Sequence, residues 1–301
     1  MANMPTDAVM MAQMVSGAGF IAALDQSGGS TPGALKAYGV ADGSWSNDDE
    51  MYALIHEMRV RIVTAPSFNG AKVLAAILFE KTMDGAAGGT PVPTALWQRG
   101  VVPFLKVDKG LEDEADGVQL MKPIPGLDPL LDRAKGLGVF GTKMRSVIKA
   151  ASPSGIAAIA AQQFEVGRLI IARGLMPVLE PEVSIKADNR AEIERLLAAE
   201  LLKGLEALEG EERVMLKLSI PAEADAYAAL IGHHRVARVV ALSGGYSRDE
   251  ACRELAKNHG MIASFSRALL EDLRHGQDEA AFDATLKTAI DQIYAASTTK
   301  Q

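Results

Sequence analysis

Eight short apolar runs rich in Val, Ile, Leu and Phe recur along the chain, at 19–24, 72–79, 101–107, 139–144, 176–180, 214–218, 238–242 and 261–265. Each is apolar enough to be buried on both faces, which is the condition of a parallel strand covered by helices. The segments between them carry helix-end signals. Ser152-Pro153 reads as an N-cap followed by proline at the first helical position, and Gly174 closes that segment. Over 191–209 the stripe Ile193, Leu196, Leu197, Leu201, Leu205, Leu208 predicts a helix packed on a sheet, ended by Gly210. No linker, repeat or low-complexity segment divides the chain. Eight strands alternating with helices over 301 residues predict a single (β/α)₈ barrel spanning 1–301, with a helical extension over 1–18 and a frayed tail over 298–301. An open doubly wound sheet is the alternative.

Composition narrows the partners. A formal charge of −7 argues against a surface built to hold nucleic acid, while leaving room for a local basic pocket. No apolar run is expected to reach the length of a membrane span. The first basic residue is Lys36, so the Met-rich start lacks the charged region of a signal peptide. The one cysteine, Cys252, cannot form an intramolecular disulfide and reads as packing. The expectation is a cytoplasmic protein with no nucleic-acid or membrane partner; a homo-oligomer is compatible with the sequence.

Nearly every strand ends in a group that packing does not require: Asp25, Lys106 with Asp108, Lys143 with Arg145, Glu180 with Glu182, Lys217, Ser243-Gly244-Gly245, and Ser264 through Arg267. Barrel enzymes place catalysis at these C-terminal strand ends. Capping and surface pairing would account for any one of these charges, but not for so many on one rim. Alternation puts Lys143 and Arg145 on one face, and likewise Glu180 and Glu182. If Leu216 and Leu218 face the helices, Lys217 points into the barrel, where an ammonium is costly unless paired or neutral. An amine attacks a carbonyl only when unprotonated, and a low-polarity pocket with a cation nearby favours that form. Lys143, two strands earlier, is the candidate cation, and Glu180 on the strand between is the candidate proton shuttle.

Two loops look like anion holders. Ser243-Gly244-Gly245 can present backbone N–H groups without Cβ obstruction, and Arg267 supplies a fork suited to phosphate. The other is Ser27-Gly28-Gly29-Ser30, with Lys106 on the third strand. A small-residue turn would explain either loop alone. Two of them, expected on opposite sides of one rim, suggest a substrate with two phosphates.

From about 19 to 297 the chain resembles the class I fructose-bisphosphate aldolases, especially their shorter bacterial branch. The resemblance rests on Ala23-Leu24-Asp25-Gln26-Ser27, Lys106-Val107-Asp108-Lys109-Gly110, Lys143-Met144-Arg145, Pro177-Val178-Leu179-Glu180-Pro181-Glu182, Leu216-Lys217, Leu242-Ser243-Gly244-Gly245 and Ser264-Phe265-Ser266-Arg267-Ala268-Leu269. It implies reversible cleavage of fructose 1,6-bisphosphate with no cofactor and no metal. Lys217 would form the iminium, Glu180 would move protons for it, and Asp25 would take the C4 hydroxyl proton. Lys143 and Arg145 would orient the substrate, with Glu182 holding them. Ser243, Gly244, Ser266 and Arg267 would bind one phosphate, and Ser27, Ser30 and Lys106 the other, with Gly245 and Ser264 beside them.

Departures from the family pattern are Gln26 where many members have Glu, Met144 where they have Trp, and Ser266 where Gly is usual. The long C-terminal tail ending in tyrosine, found in the animal enzymes, has no counterpart. Tyr294 instead falls in a predicted helix over 282–296 and reads as packing. Three other readings stay open: a Schiff-base lyase for another phosphorylated sugar, a metal-dependent aldolase, and a non-catalytic scaffold. The five histidines, His56, His233, His234, His259 and His275, show no ligand spacing with a carboxylate.

Overall fold

The eight apolar runs become eight strands in the computed structural model, which describes residues 6–41 and 43–301. They are β1 Phe20–Leu24, β2 Val73–Leu78, β3 Val102–Lys106 and β4 Gly141–Ile148. The second half comprises β5 Met176–Val183, β6 Val214–Ser219, β7 Val236–Leu242 and β8 Ile262–Phe265. Neighbours pair in parallel in the order β3-β2-β1-β8-β7-β6-β5-β4, and a further β3–β4 pairing closes the ring. The expected single (β/α)₈ barrel is therefore borne out. Between β4 and β5 the ladder runs unbroken from Gly141↔Met176 to Ile148↔Val183 and sets Arg145 opposite Glu180.

Helices cover the outside. The helix Pro153–Ala172 starts at Ser152, whose side chain accepts from Gly155 N. The expectation that no apolar run reaches membrane length fails here, because one 18-residue window of this helix has a mean hydropathy of 1.2. Its buried residues include Ile156, Ile159, Gln163, Gly167 and Ile170, one stripe facing β5 and the helix Arg190–Glu206. The helix Arg190–Glu206 stops short of the expected Gly210, although Leu208 beyond it is still buried. The last helix is Glu279–Thr298, capped by the Asp278 side chain on Ala281 N. The terminus is also tied beyond the expected point of fraying. Lys300 Nζ donates to Leu255 O and Ala296 O, and Gln301 N donates to Ala256 O at 2.9 Å.

The lower lumen, at the N-terminal strand ends, is a separate apolar cluster. Phe104, Phe140, Met176, Val178, Met215 and Val240 meet there with Met10 and Met14 of the N-terminal helix Thr6–Ser16. That helix covers part of the expected 1–18 extension; residues 1–5 lie outside the described residues. Fully burying a Phe or Met side chain contributes about 1.5–3 kcal/mol, so this plug is a substantial part of the fold's stability. Polar bonds fix the helix over the opening. Gln13 Nε2 donates to Leu74 O and Gly100 O, while Arg238 donates to Met14 O and Gly17 O. Gly141 makes room inside: a Cβ there would lie 2.3 Å from Met176 O and 2.5 Å from the Phe104 ring.

Candidate active site

Above the plug the inward positions change from apolar to charged. Lys106 on β3, Lys143 and Arg145 on β4, Glu180 and Glu182 on β5 and Lys217 on β6 all reach one cavity of about 1240 Å³. Asp25 joins them just past the end of β1. Glu180 stands between two lysine Nζ atoms, as its strand position predicts. Its Oε1 is 2.9 Å from Lys217 Nζ, and its Oε2 is 2.8 Å from Lys143 Nζ. Lys143 also reaches across the lumen to Asp25 Oδ2 at 2.7 Å. All four side chains are buried, with Lys217 only 4% exposed.

Lys143 is the hub. Each carboxylate within 3 Å attracts it by roughly 6 kcal/mol at an effective dielectric near 20. Together they keep Lys143 charged against its own desolvation penalty of several kcal/mol. Burial would lower the Lys143 ammonium, yet Asp25, Glu180 and Asp108 hold it above the ordinary lysine range. Burial would likewise raise the Asp25 carboxyl, but Lys143 and then Lys217 hold it well below the usual carboxylate range. Asp25 is thus an anion and Lys143 a cation at neutral pH.

Asp108 is a site residue that strand-end reasoning noted without assigning. It is buried, 2.8 Å from Lys106 Nζ and 3.8 Å from Lys143 Nζ, and it accepts from Arg145 N. Its place two residues past the end of β3 carried the signal. Lys106 Nζ also donates to Asp108 O at 2.7 Å. Arg145 pairs with Glu182 as expected, and although burial opposes its charge, Glu182 pushes the guanidinium above its ordinary range.

The anion-holding loops occupy the same rim in a different arrangement from the one expected. β1 is separated from β7 by β8 alone, so the Ser27–Ser30 loop is not opposite Ser243. Lys106 on β3 is the group across the ring from β7. Ser243, Gly244, Ser264, Ser266 and Arg267 line one side of the cavity. Gly244 has a φ of +61° and Gly245 one of +113°, backbone that favours glycine. Gly245 is off the cavity wall, behind Arg267, whose Nη2 lies 3.5 Å from where a Cβ would stand. Ser30 Oγ donates to Ser27 O and accepts from Ser27 N, which folds that loop on itself. Gln26 Nε2 donates to Ser266 Oγ at 2.5 Å and links the two loops directly.

A family model described as fructose-bisphosphate aldolase class-I matches residues 8–218, well over half of the chain and inclusive of Asp25, Lys143, Glu180 and Lys217. The chain belongs to the class I fructose-bisphosphate aldolase family. Solved structures agree at the level of fold. Fructose-bisphosphate aldolase from Plasmodium falciparum, in complex with TRAP and a small-molecule inhibitor, superposes with a TM-score of 0.75 at 21% identity, over 98% of this chain and 95% of that one. Cgl0159 from Corynebacterium glutamicum matches with a TM-score of 0.53 at 15% identity, over 97% and 93%.

Within this aldolase barrel, Tyr294 sits on the terminal helix with Lys72 Nζ 5.5 Å from its ring, at the N-terminal end of β2 and far from the cavity. Three other tyrosines, Tyr38, Tyr52 and Tyr246, line the cavity, and no sequence signal singled them out. Burial pushes the Cys252 thiol up to about 11, in keeping with a packing role.

Proposed function

We propose that this aldolase reversibly cleaves fructose 1,6-bisphosphate to dihydroxyacetone phosphate and glyceraldehyde 3-phosphate through a Schiff base on Lys217. The observation that carries the reading is the buried Lys143–Glu180–Lys217 row, one carboxylate shared between two lysines at 2.8 and 2.9 Å. Lys217 Nζ attacks the C2 carbonyl of the open-chain ketose. Glu180 Oε1, already at Nζ, carries the amine proton to the carbinolamine alkoxide, and delivers a second proton, taken up from solvent and given back when the Schiff base is hydrolysed, to its hydroxyl, which leaves as water. Asp25, held anionic by Lys143, then accepts the C4 hydroxyl proton. The C3–C4 pair flows into the iminium, glyceraldehyde 3-phosphate departs, and the enamine remains on Lys217. Protonation at C3 and hydrolysis release dihydroxyacetone phosphate. Arg267 with Ser243 and Gly244 suits one phosphate, and Lys106 across the ring suits the other.

One observation favours a second reading, a Schiff-base lyase for a ketose with a single phosphate. Lys106 already has Asp108 Oδ1 at 2.8 Å, which leaves the far side of the cavity less basic than the Arg267 side. Borohydride reduction with dihydroxyacetone phosphate tests the shared chemistry and should leave its adduct on Lys217. An adduct on Lys106 or Lys143 overturns the assignment. Comparing kcat/KM for fructose 1,6-bisphosphate and fructose 1-phosphate separates the two substrates.

A further inference from the structure

Arg59, on the helix Asp48–Thr64, is a buried cation that the reaction above leaves unused. It is 1% exposed. Its guanidinium donates to Thr82 Oγ1 at 3.0 Å and to the main-chain oxygen of Gln26, and its Nε is unpartnered. Among the described residues it has no ion pair, an arrangement that is costly for a buried guanidinium. The carboxylate it feels is that of Asp25: burial lowers the guanidinium to about 10, and Asp25 opposes that shift, so it stays charged.

The carbonyl that Arg59 grips belongs to the residue between two halves of the site. Before it is Asp25, bonded to Lys143. Its own side chain donates to Ser266, next to Arg267. We propose that Arg59 is a positioning residue for cleavage, clamping the main chain after β1 so that the Asp25 carboxylate and the Gln26–Ser266 bridge are held together. Thr82, just after β2, anchors the clamp from the other side. This rests on the role given to Asp25 in the proposed reaction.

Arg59→Met keeps the bulk and removes the donors, Arg59→Lys restores the charge, and Thr82→Val removes only the anchor. With Arg59→Met, borohydride trapping on Lys217 should keep its wild-type rate while kcat for cleavage falls by about 10²-fold, the cost of misplacing a reacting group by roughly an ångström. Arg59→Lys should recover part of that loss, and Thr82→Val should show the same selective loss in smaller measure. Hydrogen exchange over residues 25–30 should quicken by on the order of tenfold or more, as loss of a charge-assisted hydrogen bond implies. Trapping and cleavage falling together, in proportion to the folded fraction, would reduce Arg59 to packing and overturn the proposal. If Arg59→Met does not fold, the Thr82→Val comparison decides in the same terms. If the wild-type enzyme leaves no adduct on Lys217, the Schiff-base reading fails by itself; the clamp then stands or falls on the exchange over 25–30.

Discussion

The two halves of the barrel lumen use the same strands for opposite purposes. On β5, Met176 and Val178 point into the dry lower half, while Glu180 and Glu182 point into the cavity above it. The backbone, pleat and parity do not change between the second and third of these residues. Below, unpaired apolar groups need only shape complementarity. Above, each buried charge needs a named partner, and Lys143 serves two at once. Cohesion of the barrel and its chemistry are therefore separable by depth along a strand, except where one side chain serves both.

Lys143 is such a side chain, so removing it should break the separation most severely. Lys143→Met would leave Asp25 and Glu180 buried without their common cation. Breaking a buried pair in this way costs about 3–5 kcal/mol. Urea denaturation should show that loss and a cleavage assay should show no turnover; full stability with lost activity would mean the charges do not brace the barrel. Next, Phe104→Ala in the lower half should also cost about 3–5 kcal/mol, yet leave kcat of the folded fraction within about twofold. A large fall in kcat would show that the plug transmits strain to the rim.

The smallest effect is on pH dependence. The folded-state pKa of Asp25 is depressed, so its contribution to stability is present above the unfolded value of about 3.9 and is lost as pH falls below that. Denaturant midpoints measured from neutral pH down to about 3 should therefore lose, in Asp25→Asn, a share of the acid dependence that sets in only below about pH 5 and sums to about 1.3 kcal/mol by pH 3. An unchanged slope would place the acid sensitivity in other carboxylates.

What the sequence made legible follows from the same division. Strands buried on both faces give continuous apolar runs, so all eight were readable. β4 and β5 run to Ile148 and Val183, beyond their expected ends, because inward Lys143, Arg145, Glu180 and Glu182 interrupt the apolar pattern. The chemistry disguised the ends of its own strands. Parity located Lys217 and Glu180 correctly. The placement of the Ser27–Ser30 loop depended on the circular order of strands, which no local pattern encodes. Arg59 was invisible for a related reason: on an isolated helix it reads as a solvent-facing arginine, and its burial exists only once β1 and β2 are in place.

The plug that seals the lower lumen also sets an order of assembly. Its helix is made before any of the strands, yet Arg238, which holds Met14 O, follows 224 residues later. At about 5–20 residues per second, synthesis leaves that helix waiting roughly 10–45 s for its partner. Until β7 emerges, Met10 and Met14 have no closed lumen to enter. A helix made before every strand is thus among the last elements to dock, and the nascent chain exposes its apolar, Met-rich face until β7 is made. Contacts this distant in sequence slow folding, so closing the base of the barrel is a late event, and chaperone capture during translation should centre on the N-terminal helix.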